Sequence, residues 1–166
     1  MKSKDKIIEH KISDISDSIK QGKPFRNISQ KTAINIIFTG RWLFNLHNEL
    51  FKTFGLTAQQ YNILRILKGQ YPRAATVKLL KERMLDKMSD VSRIVENLRI
   101  KGYVSRELNT YDRREVKVLI TQKGLDILIY IEEKGSDTMD DFLSNLAPDE
   151  AEQLNALLDK ARSSFE

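Results

Sequence analysis

Residues 76–124 constrain this chain more than any other stretch. They begin with a short helix carrying Val77, Leu79, Leu80 and Met84, followed by a tight connection through Leu85, Asp86 and Lys87. A second helix is predicted over about residues 88–101, with Val91, Ile94, Val95 and Leu98 on the face it buries. The opposite face keeps Ser89, Asp90, Ser92, Arg93, Glu96 and Asn97. Short polar groups with one arginine suit base edges and phosphates, although periodicity alone describes any amphipathic helix with a wet outer face. The segment that follows decides between these readings. Gly102 closes the helix, residues 103–108 read as a strand, and residues 115–120 alternate through Val116, Lys117 and Val118 as a returning strand.

The loop between the strands, Asn109-Thr110-Tyr111-Asp112-Arg113-Arg114, is polar and contains no glycine. Two adjacent arginines repel each other unless an acid is close. Asp112 can pair with Arg114 and orient it, which leaves Arg113 free to reach phosphate. A surface pair of this kind adds only about 0–1 kcal/mol of stability. Its use is rather to hold a cation where the potential of a DNA groove is most negative. Two helices followed by an arginine-tipped hairpin are the parts of a winged helix-turn-helix. One helix lies in the major groove, and the β-loop reaches the neighbouring backbone or minor groove.

The charge distribution agrees with that reading. The chain holds 28 basic and 23 acidic residues, net +5, and residues 76–124 alone hold 12 basic and 7 acidic. Residues 1–75 hold 13 basic against 5 acidic, whereas residues 125–166 hold 3 against 11. Positive charge that coincides with the helix-plus-wing segment is the footprint of phosphate neutralisation. The opposite signs of the two ends suggest that they pack together, within one subunit or between two.

Composition excludes several classes. A length of 166 residues with 40% apolar and 31% charged fits one helix-rich domain with a real core. No apolar run approaches the ~18–20 residues of a membrane span, and Met1-Lys2-Ser3-Lys4-Asp5 lacks the apolar core of a signal peptide. Asn27-Ile28-Ser29 is then a chance glycosylation match, and a cytoplasmic location is expected. Without cysteine there is no disulfide, thiolate metal site or thiol switch. His10 and His47 are too few and too isolated for a metal or triad motif, no glycine-rich phosphate loop is present, and Asp140-Asp141 sits in an acidic helix. No enzyme, metal or cofactor is expected.

Outside the central segment the pattern is helical. Ile8, Ile12, Ile15 and Ile19 make a narrow stripe over residues 4–21, which Gly22-Lys23-Pro24 ends. The stripe must dock on something, and it lacks the aromatics that membrane-surface helices favour. Ile34, Ile37, Phe38, Trp42, Leu46 and Leu50 continue over residues 31–54 to Gly55. Thr57, with Gln60 at the capping-box position, starts a helix that buries Tyr61, Leu64 and Leu67. A further helix from Thr121 carries Leu125, Leu128 and Ile129, then Met139, Phe142, Leu143 and Leu146, with a kink or break expected at Gly135. Pro148, followed by Asp149 and Glu150, opens a last helix with Leu154, Leu157, Leu158 and Ala161 as its buried stripe.

The runs Leu56-Thr57-Ala58-Gln59-Gln60-Tyr61, Ser92-Arg93-Ile94-Val95-Glu96-Asn97-Leu98 and Lys101-Gly102-Tyr103-Val104 resemble the MarR family of bacterial transcription regulators. Asp112-Arg113-Arg114, then Val116, Val118, Ile120-Thr121 and Lys123-Gly124, resemble that family's wing and the start of its next helix. The likeness covers about residues 31–161. It implies a mainly α fold with a small β-hairpin wing, and a homodimer built by helices from both chain ends. It further implies repression from a palindromic operator, relieved when a small aromatic or lipophilic effector enters between lobe and dimerisation helices; Trp42, His47 and Tyr61 are the candidates to line that pocket. The implied division is 1–30 for an extra N-terminal helix and linker, 31–56 for a dimerisation helix, 57–120 for the DNA-binding lobe and 121–166 for C-terminal dimerisation helices. The expected DNA contacts are Ser89, Asp90, Ser92, Arg93, Asn97, Asp112, Arg113 and Arg114. The helix at residues 4–21 is additional to the family pattern, and the absence of cysteine excludes the peroxide sensing of some relatives. An architectural or protein-interaction winged helix without operator specificity is the alternative.

Overall fold

The computed structural model describes residues 13–108 and 116–163, without the side chains of Leu108 and residues 135–141. Most of the helix expected over residues 4–21, and the loop bearing Asp112, Arg113 and Arg114, lie outside the described residues. In chain order the elements are α1 (Ile15–Ser18), α2 (Ile28–Lys52), α3 (Ala58–Lys68), β1 (Ala75–Thr76), α4 (Val77–Arg83), α5 (Val91–Ile100), β2 (Val104–Leu108), β3 (Val116–Ile120), α6 (Gln122–Asp141) and α7 (Pro148–Arg162). The chain divides into two units, residues 1–43 and 44–166, with the boundary inside α2.

In the first unit, the N-terminal helix is not continuous to Gln21 as its isoleucine spacing predicts. Asp14 is extended and caps α1 by accepting a hydrogen bond from the Ser16 amide at 2.8 Å. Lys20, with φ of 53°, then turns the chain away. The run Ser13-Asp14-Ile15-Ser16-Asp17-Ser18 explains the interruption, because Ser and Asp side chains compete for nearby backbone groups and so favour caps over helix interiors. The Lys31 ammonium, 2.6 Å from Asp14, holds that carboxyl well below the usual carboxylate range. Helix α2 starts three residues earlier than expected, at Ile28. Asn27 Oδ1 accepts from the Gln30 amide at 2.9 Å, and Gln30 Oε1 accepts from the Arg26 amide at 2.8 Å.

The second unit holds one continuous core. Phe51 and Leu56 pack with Ile63, Leu64 and Leu67 of α3, Leu80 of α4, Val91, Val95 and Leu98 of α5, Val118 of β3 and Leu128 of α6. The expected capping box at α3 is present: Thr57 Oγ1 accepts from the Gln60 amide and Gln60 Oε1 accepts from the Thr57 amide, both at 3.2 Å. Tyr61 is only half-buried; Ile63 and Ile66 take the interior places beside Leu64 and Leu67. Strands β2 and β3 form the predicted antiparallel hairpin, with Val104 opposite Ile120 and Arg106 opposite Val118. A third strand was not legible in the pattern. Two-residue β1 pairs with β3, setting Ala75 opposite Val118, and completes the order β1-β3-β2.

Helix α6 runs unbroken from Gln122 to Asp141, so of the kink or break expected at Gly135 the break does not occur. A glycine costs a helix interior only ~1 kcal/mol relative to alanine, which the rest of a long helix outweighs. Pro148 stands at the first position of α7, and Glu150 accepts from the Ala147 amide at 2.8 Å. The stripe of α7, expected to be buried, is open in the single chain: Leu154 is 40% and Leu157 57% exposed.

Candidate nucleic-acid interface

Helix α5 is short and fastened at both ends. It begins at Val91 rather than Met88, because Asp90 takes the N-cap position and accepts from the Arg93 amide at 3.1 Å. The residues before it form a compact turn around Asp86. Oδ1 of Asp86 accepts from the Met88 amide at 3.0 Å, and Oδ2 accepts from the Ser89 hydroxyl at 2.8 Å. The Ser89 bond, then the Met88 bond, hold the Asp86 carboxyl below its ordinary range. Ser89 and Asp90 therefore stand at the mouth of the helix, while Ser92, Arg93 and Asn97 stand on its face.

At the other end Gly102, with φ of 78°, lets the Tyr103 amide return to the Leu98 carbonyl and its own amide to that of Arg99, each at 2.9 Å. This is the Schellman closure, which requires a left-handed residue just past the helix. Gly124 meets a different constraint: an added Cβ would collide with the Tyr103 carbonyl oxygen and lie 2.7 Å from Ile120 Cγ1. The chain entering the wing and the helix leaving it thus pass in direct contact.

Val91, Val95 and Leu98 seat α5 in the core, and Ser92, Arg93 and Asn97 are exposed. The side chains of those three make no hydrogen bond to another described residue, so their donors and acceptors face solvent. Sequence reasoning put Glu96 on the same outer face but gave it no role. Its carboxylate takes three hydrogen bonds from Arg99 between 2.8 and 3.2 Å and one from Arg106 of β2 at 3.0 Å. Arg99 first, and then Arg106, hold the Glu96 carboxyl down to about 2. Lys101, at the helix end, reaches the Gly55 carbonyl at 2.6 Å and Gln60 Oε1 at 3.1 Å.

A cavity of about 240 Å³ is lined by Phe44, His47, Phe51, Ala58, Gln59, Tyr61, Asn62, Met84, Leu85 and Asp86. Phe51 and Tyr61 stack with ring centres 4.0 Å apart. Burial lowers the His47 pKa and favours the neutral imidazole. His47 and Tyr61 both line this cavity, whereas Trp42 belongs to the first unit and is not among the lining residues. Asn62 and Asp86 were missed, since nothing in periodicity marks a polar residue that closes a loop. Asn62 Oδ1 accepts from the Leu85 amide at 3.1 Å and fixes one wall of the cavity.

Comparison with known proteins agrees with this geometry. A sequence profile of the MarR family matches residues 54–115. The transcriptional regulator MgrA of Staphylococcus aureus is 31% identical over 119 residues, covering 72% of this chain and 78% of MgrA. A putative MarR-like transcription regulator from Bacillus cereus superposes with a TM-score of 0.74 at 20% identity, over 83% of this chain and 98% of the other. A mutant MarR from Escherichia coli, solved with operator DNA, superposes with a TM-score of 0.68 at 26% identity, over 90% and 99% of the two chains. The fastened helix, the paired wing strands and these likenesses together make the chain a member of the MarR family of winged helix-turn-helix transcription regulators.

Proposed function

We propose that this DNA-binding regulator acts as a homodimeric repressor on a palindromic operator and responds to a small aromatic or lipophilic effector. The observation that carries the DNA reading is the outer face of α5. Ser92, Arg93 and Asn97 are exposed on a helix whose two ends are locked, and a reader of base edges needs side chains free to move on a frame that is not. Ser89 and Asp90 reach the same groove from the helix mouth, while Asp112, Arg113 and Arg114 supply the wing contacts.

Dimerisation is supported by apolar side chains that the single chain leaves open. Ile28 is 74%, Ile37 60% and Leu157 57% exposed, and such residues cluster on α2 and α7. Exposed apolar patches mark interaction sites. The proposed division is residues 31–56 and 121–166 for dimerisation, residues 57–120 for DNA, and residues 1–30 as an addition. The aromatic cavity supports the effector. Leu85 and Asp86 line it, and Asp86 also holds Ser89, so filling the cavity presses on the turn that precedes the DNA-facing helix. Among the described residues no helix is long and apolar enough to cross a membrane, and action on DNA gives a cytoplasmic location.

Selection of genomic fragments with the purified protein, followed by footprinting, tests the reading. Two protected half-sites ~10–10.5 base pairs apart are expected. Uniform coating of every fragment would favour the architectural alternative.

A further inference from the structure

A carboxylate in the middle of a DNA-facing helix needs a reason, because it repels phosphate. Glu96 lies one turn from Arg93 on the outer face of α5, with its side chain 38% exposed. Both of its oxygens are engaged: Oε1 by Arg99 Nε and Nη2, and Oε2 by Arg99 Nε and Arg106 Nη1. Stability is a weak reason, since ion pairs this open contribute little. Direct reading of a cytosine amino group is a second candidate, but the acceptor sites that it needs are filled by guanidinium groups. The consequence that remains is electrostatic and geometric. Two arginines flanking the reading face, one on the last turn of α5 and one on the first wing strand, are held away from phosphate by a single acid.

We propose that Glu96 is a positioning residue for specificity: it sequesters Arg99 and Arg106 and joins α5 to β2, so that the lobe reads bases with Arg93 and its neighbours instead of gripping any backbone. Non-specific affinity grows with each phosphate neutralised, and the logarithm of the binding constant falls with the logarithm of salt by ~0.9 per contact. Releasing the two guanidinium groups therefore raises affinity for every duplex and steepens its salt dependence, while discrimination falls. The Arg106 bond adds a geometric part. It spans ten residues across the Gly102 turn and ties the base of the wing to the helix beside it. The inference rests on α5 being the DNA-facing helix.

The test uses full-length protein and two duplexes: one enriched by the wild type from a randomised pool, and a scrambled duplex of the same composition. Fluorescence anisotropy is read at about 50 and 200 mM salt, the range over which phosphate contacts dominate. Glu96→Gln should bind the scrambled duplex about tenfold tighter at the lower salt, with a slope steeper by about one to two units. The preference for the enriched duplex should fall by a similar factor. Adding Arg99→Gln and Arg106→Gln to Glu96→Gln should restore the wild-type slope, which a merely structural role for Glu96 would not do. In the wild-type background, Arg99→Gln and Arg106→Gln singly should leave the slope unaltered, and this arm stands even where Glu96→Gln does not fold. An unchanged slope in a folded Glu96→Gln, or a flatter slope in either single arginine variant, overturns the proposal. If the wild type enriches no duplex at all, the DNA reading of α5 fails first and this inference falls with it.

Discussion

Helix α5 buries Val91, Val95 and Leu98 within ten residues, whereas fifteen-residue α7, with Leu154, Leu157 and Leu158 at comparable spacing, buries none of its residues. Twenty-five-residue α2 buries only Phe51. The three helices are all amphipathic, so the pattern alone does not separate them. The difference is in what surrounds each stripe. The α5 stripe is met from three sides, by α3, α4 and β2, and both helix ends are closed by caps drawn from its immediate neighbours. Helices α2 and α7 keep large apolar side chains 40% or more exposed, so each forgoes part of the ~1.5–3 kcal/mol that full burial contributes. One region buries its apolar stripe within a single chain, and the other leaves much of its stripe open.

The strongest way to break this comparison is to remove its second half. A chain ending at residue 147 should sediment as a monomer or precipitate, whereas the full-length protein should be a dimer. A well-folded dimer from the truncated chain would put the interface elsewhere. Within the lobe, Leu98→Ala should lose about 2–5 kcal/mol in urea unfolding, since a fully buried leucine leaves a cavity behind it. Leu157→Ala should instead change stability in a manner that depends on protein concentration, and a concentration-independent loss would show a purely internal role.

Smaller effects sharpen the lobe's side of the contrast. Arg93→Ala should weaken binding to the enriched duplex by about 1–3 kcal/mol and relax preference at one base of each half-site, read by titrating single-base variants. Asp90→Ala should lose about 1 kcal/mol of stability by freeing the Arg93 amide, a value that thermal or urea melts can check. The smallest effect concerns pH. Burial lowers the His47 pKa below its ordinary value of 6.5, so the unfolded chain takes up a proton before the folded one does. Stability should therefore be full above that value and decline as pH falls below it, down to the lowered folded pKa. His47→Gln should remove that decline, measured as urea midpoints at neutral and mildly acidic pH.

What could be read directly was whatever joins residues close in sequence, from a single helical turn to a hairpin. The Thr57–Gln60 capping box, the closure at Gly102, Pro148 at the start of α7 and the pairing of β2 with β3 follow from residues close in sequence, because caps and hairpins are local hydrogen-bond choices. The start of α5 at Val91 is of the same local kind, since Asp86 takes the Met88 amide and Asp90 the Arg93 amide. The apolar faces were legible as faces but not as buried or open, because burial depends on partners from anywhere along the chain or on another chain. Strand β1 is too short to carry a period and exists only because Ala75 finds Val118 across the sheet. Asn62 and Asp86 became cavity walls, and Glu96 became a clasp on Arg106, through contacts that folding creates and spacing cannot encode. The sequence alone therefore determined the family, the order of parts and which residues of α5 lie on its outer face. Which stripes stay in water, which charges cancel and where a cavity opens were decided only when distant segments met.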